Sequence, residues 1–177
     1  MRHAMNRAAA LCALAAMALL LGSAPALAAE KMTWKEVSHL TLVHKIKVAD
    51  AEDHLVGIYE HRGVVLFTGG RQGAYVSQGR FDVYDREGGE RNHDGYGKMS
   101  FADGSTIIFK CRGKETFKEG SKLPWVSGQG AFIKGTGRYE GIKGSLTYEG
   151  GYVTGLNADG TGGDAVLDYR AEYTLAK

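Results

Sequence analysis

GTGRYEGIKG, residues 135–144, admits two readings, and the choice between them settles the fold. As a phosphate cradle it needs a strand before the glycines and a substantial helix after them, whose first amides receive the anion. The next residues are Ser145-Leu146-Thr147-Tyr148-Glu149, an alternation of polar and apolar side chains with the period of a strand, and no Lys-Ser or Lys-Thr pair succeeds the glycines. The nucleotide reading fails on both counts. The glycines instead suit a sharp corner between two strands, where positive φ and close backbone approach are needed. Tyr139 and Ile142 are three apart, so a single helical turn over 138–142 would drop both onto the end of a barrel as a plug.

Working outward, alternation with period two recurs along the chain. At the C-terminus Ala165, Leu167, Tyr169, Ala171, Tyr173 and Leu175 share one face, and Asp164, Asp168, Arg170, Glu172 and Thr174 the other. The same pattern predicts strands near 37–48, 55–67, 74–85, 93–101, 105–117, 128–135 and 145–154. Turn signals separate them: Thr68-Gly69-Gly70, Glu87-Gly88-Gly89, Asp103-Gly104 and the run 157–163. Eight evenly spaced strands predict an all-β, closed antiparallel eight-stranded barrel, since closure removes exposed edges; a sandwich is the alternative. A barrel of this size is filled by side chains or holds one small ligand. The strand at 55–67 has apolar residues on both faces around Glu60, His61 and Arg62. Either one face meets a partner or a bulge exchanges the faces partway.

A strand ending in Gly135-Thr136-Gly137, the turn Arg138-Tyr139-Glu140-Gly141-Ile142, then Lys143-Gly144 and another alternating strand resembles the pattern in bacterial secreted relatives of the allene oxide cyclase and dirigent barrels. The similarity is concentrated in Gly128 to Tyr152, with weaker support from the Asp103-Gly104 hairpin. It implies an eight-stranded barrel carrying this segment between two late strands. Plant members guide reactive intermediates inside the barrel and often form dimers or trimers. Their catalytic residues do not map onto positions here, so their activity is not carried over.

The N-terminus reads as a secretory signal over 1–28, leaving one domain over 29–177. Arg2 and Arg7 precede the apolar run Ala8 to Leu21, and Ala26-Leu27-Ala28 offers a small-x-small cleavage site. The run is shorter than the roughly 20 residues that cross a bilayer, so no membrane span is expected, and the expected location is periplasmic or secreted. Arg2 and Arg7 are two of the 22 basic residues, and the leader holds none of the 20 acidic ones. The mature chain is therefore formally neutral, without the basic footprint of a nucleic-acid binder. Cys12 lies in the leader, so Cys111 alone remains and no internal disulfide can form.

Polar residues that share the apolar faces are the candidates for ligand contact: His44, His93, Glu115, Tyr148, Tyr152, Tyr169 and Tyr173. Desolvation inside a barrel would shift the proton affinity of Glu115 or a histidine, which makes Glu115 the candidate acid–base group. The structural alternative is that buried tyrosines and histidines only satisfy core hydrogen bonds. His39 and His44, like His54 and His61, differ by odd numbers and point to opposite faces, so no metal site is expected and no cofactor is implied. Cys111 amid Ile107, Phe109 and Phe117 reads as a small buried hydrophobe. Lys110, Arg112 and Lys114 form a basic stripe on the opposite face, expected to be solvated or paired with acids such as Asp82 or Glu149.

These readings leave three functions to separate. The first is a secreted barrel that binds a small, largely apolar molecule or a protein partner without catalysis. The others are a cofactor-free isomerase or cyclase of the allene oxide cyclase type, and a structural, homo-oligomer-forming envelope protein. A lumen cavity of roughly 300 Å3 or more, lined by converging polar groups, distinguishes the first two from the last.

Overall fold

The computed structural model describes residues 28–84, 91–158 and 160–176. All but the last residue of the expected leader, the expected turn Glu87-Gly88-Gly89 and Asp159 lie outside the described residues. Eight strands run in chain order: β1 Glu30–Lys47, β2 His54–Phe67, β3 Gln72–Tyr84, β4 Arg91–Ser100, β5 Thr106–Phe117, β6 Pro124–Thr136, β7 Lys143–Tyr152 and β8 Gly162–Thr174. Each pairs antiparallel with its sequence neighbour, and β8 closes onto β1. The fold is the closed antiparallel eight-stranded barrel, not the sandwich.

Two strand boundaries differ from the sequence reading by more than two residues. β1 begins seven residues before Val37, because Met32, Trp34, Glu36, Ser38 and Leu40 continue one buried face back to the domain's start. β6 begins at Pro124 rather than near 128. At the first residue of a strand proline's missing N–H costs no ladder bond.

The expected turn is a single 3-10 turn, Gly137–Tyr139, between β6 and β7. Gly137 and Gly141 take φ of 60° and 71°, so the chain can enter and leave the turn tightly. Tyr139 and Ile142 are 2% and 3% exposed and close one barrel end. Tyr139 packs 5.1 Å from Phe101, Arg71 donates to its hydroxyl at 3.1 Å, and the Arg138 guanidinium covers both rings. Arg138 also pairs at 3.0 Å with Asp103 in the β4–β5 hairpin, where Gly104 has φ of 80°. Behind this plug Trp34, Val65, Met99, Ile107, Phe109 and Leu146 fill the lumen. Each such side chain contributes about 1.5–3 kcal/mol by burial.

β1 carries the feature that matters for the other half. Its register with β2 shifts between Leu40 and Leu42. Before the shift the even positions face inward; after it Val43 and Lys45 do, and Leu42, His44 and Ile46 are exposed. The exchange of faces considered for 55–67 therefore occurs in β1. β2 is regular, with His61, Val65 and Phe67 inward and Ile58, Val64 and Leu66 exposed.

Candidate functional site

Beyond the filled half, the lumen opens into a cavity of about 350 Å3. Its walls are largely apolar, from Leu40, Val43, Leu55, Phe81, Val126 and Leu167. Its floor is polar and rests on the aromatic layer, where Trp34 stacks 4.7 Å from Tyr169.

Glu36 sits at that floor, 2% exposed. Ser38 donates to it at 2.6 Å and Tyr169 at 2.7 Å, and the Tyr75 hydroxyl is a third partner. Burial pushes its carboxyl above the usual range, and the hydroxyl donors oppose that shift only in part. Because the Ser38 proton is spent on Glu36, Ser38 accepts from His61 Nδ1–H at 3.3 Å. His61 Nε2 is then an acceptor for the Tyr152 hydroxyl, also at 3.3 Å. Burial, with the neighbouring His93 adding to it, brings His61 down to about 4.

A second polar set lies across the lumen. His93 Nε2 and the Tyr148 hydroxyl are 2.8 Å apart, and His93 Nδ1 is buried without a hydrogen-bond partner among the described residues. Burial brings His93 to about 4 and pushes the Cys111 thiol up to about 11, so both are neutral at pH 7. Tyr148 fits because Gly113 and Gly128 face its hydroxyl: a Cβ at Gly113 would lie 2.6 Å from that oxygen, and one at Gly128 closer still. Nearer the strand ends Arg91 and Glu115 are cross-strand partners on the cavity wall. Burial raises Glu115, and the Arg91 charge opposes the rise.

Five of the seven expected ligand contacts, His93, Glu115, Tyr148, Tyr152 and Tyr169, line this one cavity. Two are placed elsewhere. His44 is exposed on the outer wall, because the β1 register shift reverses the faces beyond Leu40. Tyr173 is buried at the plugged end, donating to Glu30 at 2.8 Å. The sequence reading missed Glu36, Ser38, His61 and Tyr75. For Glu36 and Ser38 the signal was the unbroken alternation from Met32; for His61 it was the phase shared with Val65 and Phe67. Among the described residues no three His, Cys, Asp or Glu side chains converge as a metal ion would require.

No protein-family model matches this chain, and no curated protein sequence does. Solved structures with a similar barrel include two pterocarpan synthase dirigent proteins. PsPTS1 is 15% identical with a TM-score of 0.41, the match covering 86% of this chain and 97% of that one. GePTS1 is 15% identical with a TM-score of 0.44, covering 88% and 96%. A Shewanella oneidensis protein with unknown function, from the DUF3224 family, is 8% identical with a TM-score of 0.43, covering 86% and 100%.

Proposed function

We propose that the protein is an exported barrel that binds a small, largely apolar molecule in its lumen. The observation that carries this reading is the cavity of about 350 Å3, with apolar walls over a floor where Glu36, His61 and Tyr152 converge. A ligand-sized concavity with a few convergent polar groups is the usual form of a small-molecule site. Neutral His61 and His93 favour an uncharged ligand group at that depth. The test is native mass spectrometry of protein purified from its own envelope fraction. A ligand mass should travel with the chain and disappear in Ala165→Phe, which fills the cavity from a wall position. Bare protein, together with no saturable single-site binding of a fluorescent apolar probe, would overturn the reading.

A second reading, a cofactor-free isomerase or cyclase, is supported by two carboxyls with raised proton affinity on one cavity, Glu36 and Glu115. Once a turnover is found, each Glu→Gln change tests that residue separately. Export rests on the leader-like segment over 1–28 and is tested by N-terminal sequencing, which should begin near Ala29. Self-association is tested by light scattering of the wild type against Ile58→Lys, since Ile58 is 53% exposed on the outer β2 face.

A further inference from the structure

The basic stripe of β5 has no use in the lumen, since Lys110, Arg112 and Lys114 all face outward. They border a groove of about 1760 Å3 along the outer wall. Successive outward residues on one strand lie about 6.7 Å apart, so the three cations form a regular row.

The neighbouring acids do not neutralise Lys110 and Arg112. Across the β4 side the row's partners are Tyr96, Asp94 and Asn92, and Asp94 is held by Arg80 at 2.5 Å. Asp82 bonds His54, Glu149 faces Arg170 at 3.7 Å, and Asp168 is taken by Lys35 at 2.6 Å. The pairing with Asp82 or Glu149 expected from the sequence is thus not made by Lys110 or Arg112 among the described residues. Lys110 lies over the Tyr96 ring, and neither it nor Arg112 has a carboxylate partner among the described residues.

On the other side the groove floor carries hydrogen-bonding side chains among charges of both signs. Arg112, Gln129, Thr147 and Arg170 are successive cross-strand partners over β5, β6, β7 and β8. That row places an arginine at each end of roughly 14 Å, with an amide and a hydroxyl between them.

We propose that this groove binds an acidic polysaccharide, with sugar carboxylates on Lys110 and Arg112 and sugar hydroxyls on Gln129, Thr147 and the exposed groove acids. The mixed charge decides between polymers. Asp94 and Glu149 accept hydrogen bonds from sugar hydroxyls, donors that the backbone of a DNA-like phosphodiester chain lacks. Single-stranded nucleic acid also needs successive aromatic stacking platforms, and among the described residues beside the stripe the exposed Tyr96 ring, with Lys110 5.8 Å from its centroid, is a single platform.

The experiment is affinity electrophoresis of the mature protein in gels containing polygalacturonate, neutral dextran or dT20 oligonucleotide. Retention by polygalacturonate alone is expected. Arg112→Gln should weaken it about fivefold, and Lys110→Gln with Arg112→Gln more than tenfold, at the scale of exposed charge pairs. Lys143→Gln, an equal change in net charge outside the groove, should leave it unchanged. These side chains are exposed, and thermal melts verify that each variant is folded. No retention, retention indifferent to Arg112→Gln, equal loss in Lys143→Gln, or dT20 bound as well as polygalacturonate would each overturn the proposal.

Discussion

Tyr169 on the last strand donates its hydroxyl to Glu36 on the first at 2.7 Å, across the seam that closes the barrel. The same bond secures closure and equips the cavity floor. Tyr169→Phe removes a donor from a buried carboxyl and should cost about 1–3 kcal/mol of stability. Urea unfolding measures it, and an unchanged midpoint would show that the bond contributes nothing.

Glu36→Gln tests the cost of burying that carboxyl. Its folded proton affinity is raised above the ordinary 4.5, so the folded state loses no stability to it below that pH and progressively more as pH rises. The variant should therefore melt higher than wild type at pH 7, with the gain vanishing toward pH 4. A gain that grows on acidification would contradict the burial argument.

His61 and His93 carry the opposite sign. Both are lowered from 6.5 to about 4, so their contribution is present above pH 6.5 and lost as pH falls toward 4. Nitrogen-15 spectra at pH 5 should show both rings neutral, with His61 protonated on Nδ1.

At the strand ends His54 reaches Asp50 at 2.5 Å and Asp82 at 3.0 Å. The Asp50 hydrogen bond raises it most, with burial opposing and Asp82 assisting. Its contribution is full below pH 6.5 and declines as pH rises through the raised folded value. Melting temperature should accordingly fall between pH 6 and pH 8 in the wild type, and His54→Gln should flatten that slope.

The plug gives a graded series. Tyr139→Phe loses only the bond from Arg71, about 1 kcal/mol. Tyr139→Ala vacates the barrel end and should cost about 3–5 kcal/mol. Gly141→Ala forces a Cβ into the left-handed region and into overlap with the Ala176 side chain, which must shift, at a cost of at least about 1–2 kcal/mol. Chemical denaturation should place Tyr139→Ala as the most severe and Tyr139→Phe as the mildest, with Gly141→Ala between them.

The legible parts of the site were those lying where alternation runs unbroken into the core. Glu115, Tyr148, Tyr152 and Tyr169 share the phase of the buried residues beside them, and the β8 irregularity at Gly163 lies before that stretch, so alternation placed them on the inner face. His44 was misplaced because one extra residue near Thr41 turns every later side chain of β1 through the wall. No local residue preference announces that shift. Glu36 was missed for a different reason: a carboxylate on an apolar face reads as a strand boundary until its donors are known, and these come from 38, 75 and 169.

Period-two alternation, glycine-rich corners and the Tyr139-to-Ile142 spacing are properties of short windows, and they sufficed for strand number, barrel closure and the plug. They depend on the two-residue pleat and the backbone freedom of glycine, which act locally. How far the lumen is filled depends on side-chain volumes summed across all eight strands. The proton affinities of Glu36, His61 and His93 depend on desolvation by residues distant in sequence. Tertiary packing settled those quantities, because burial belongs to the closed barrel and not to any strand alone.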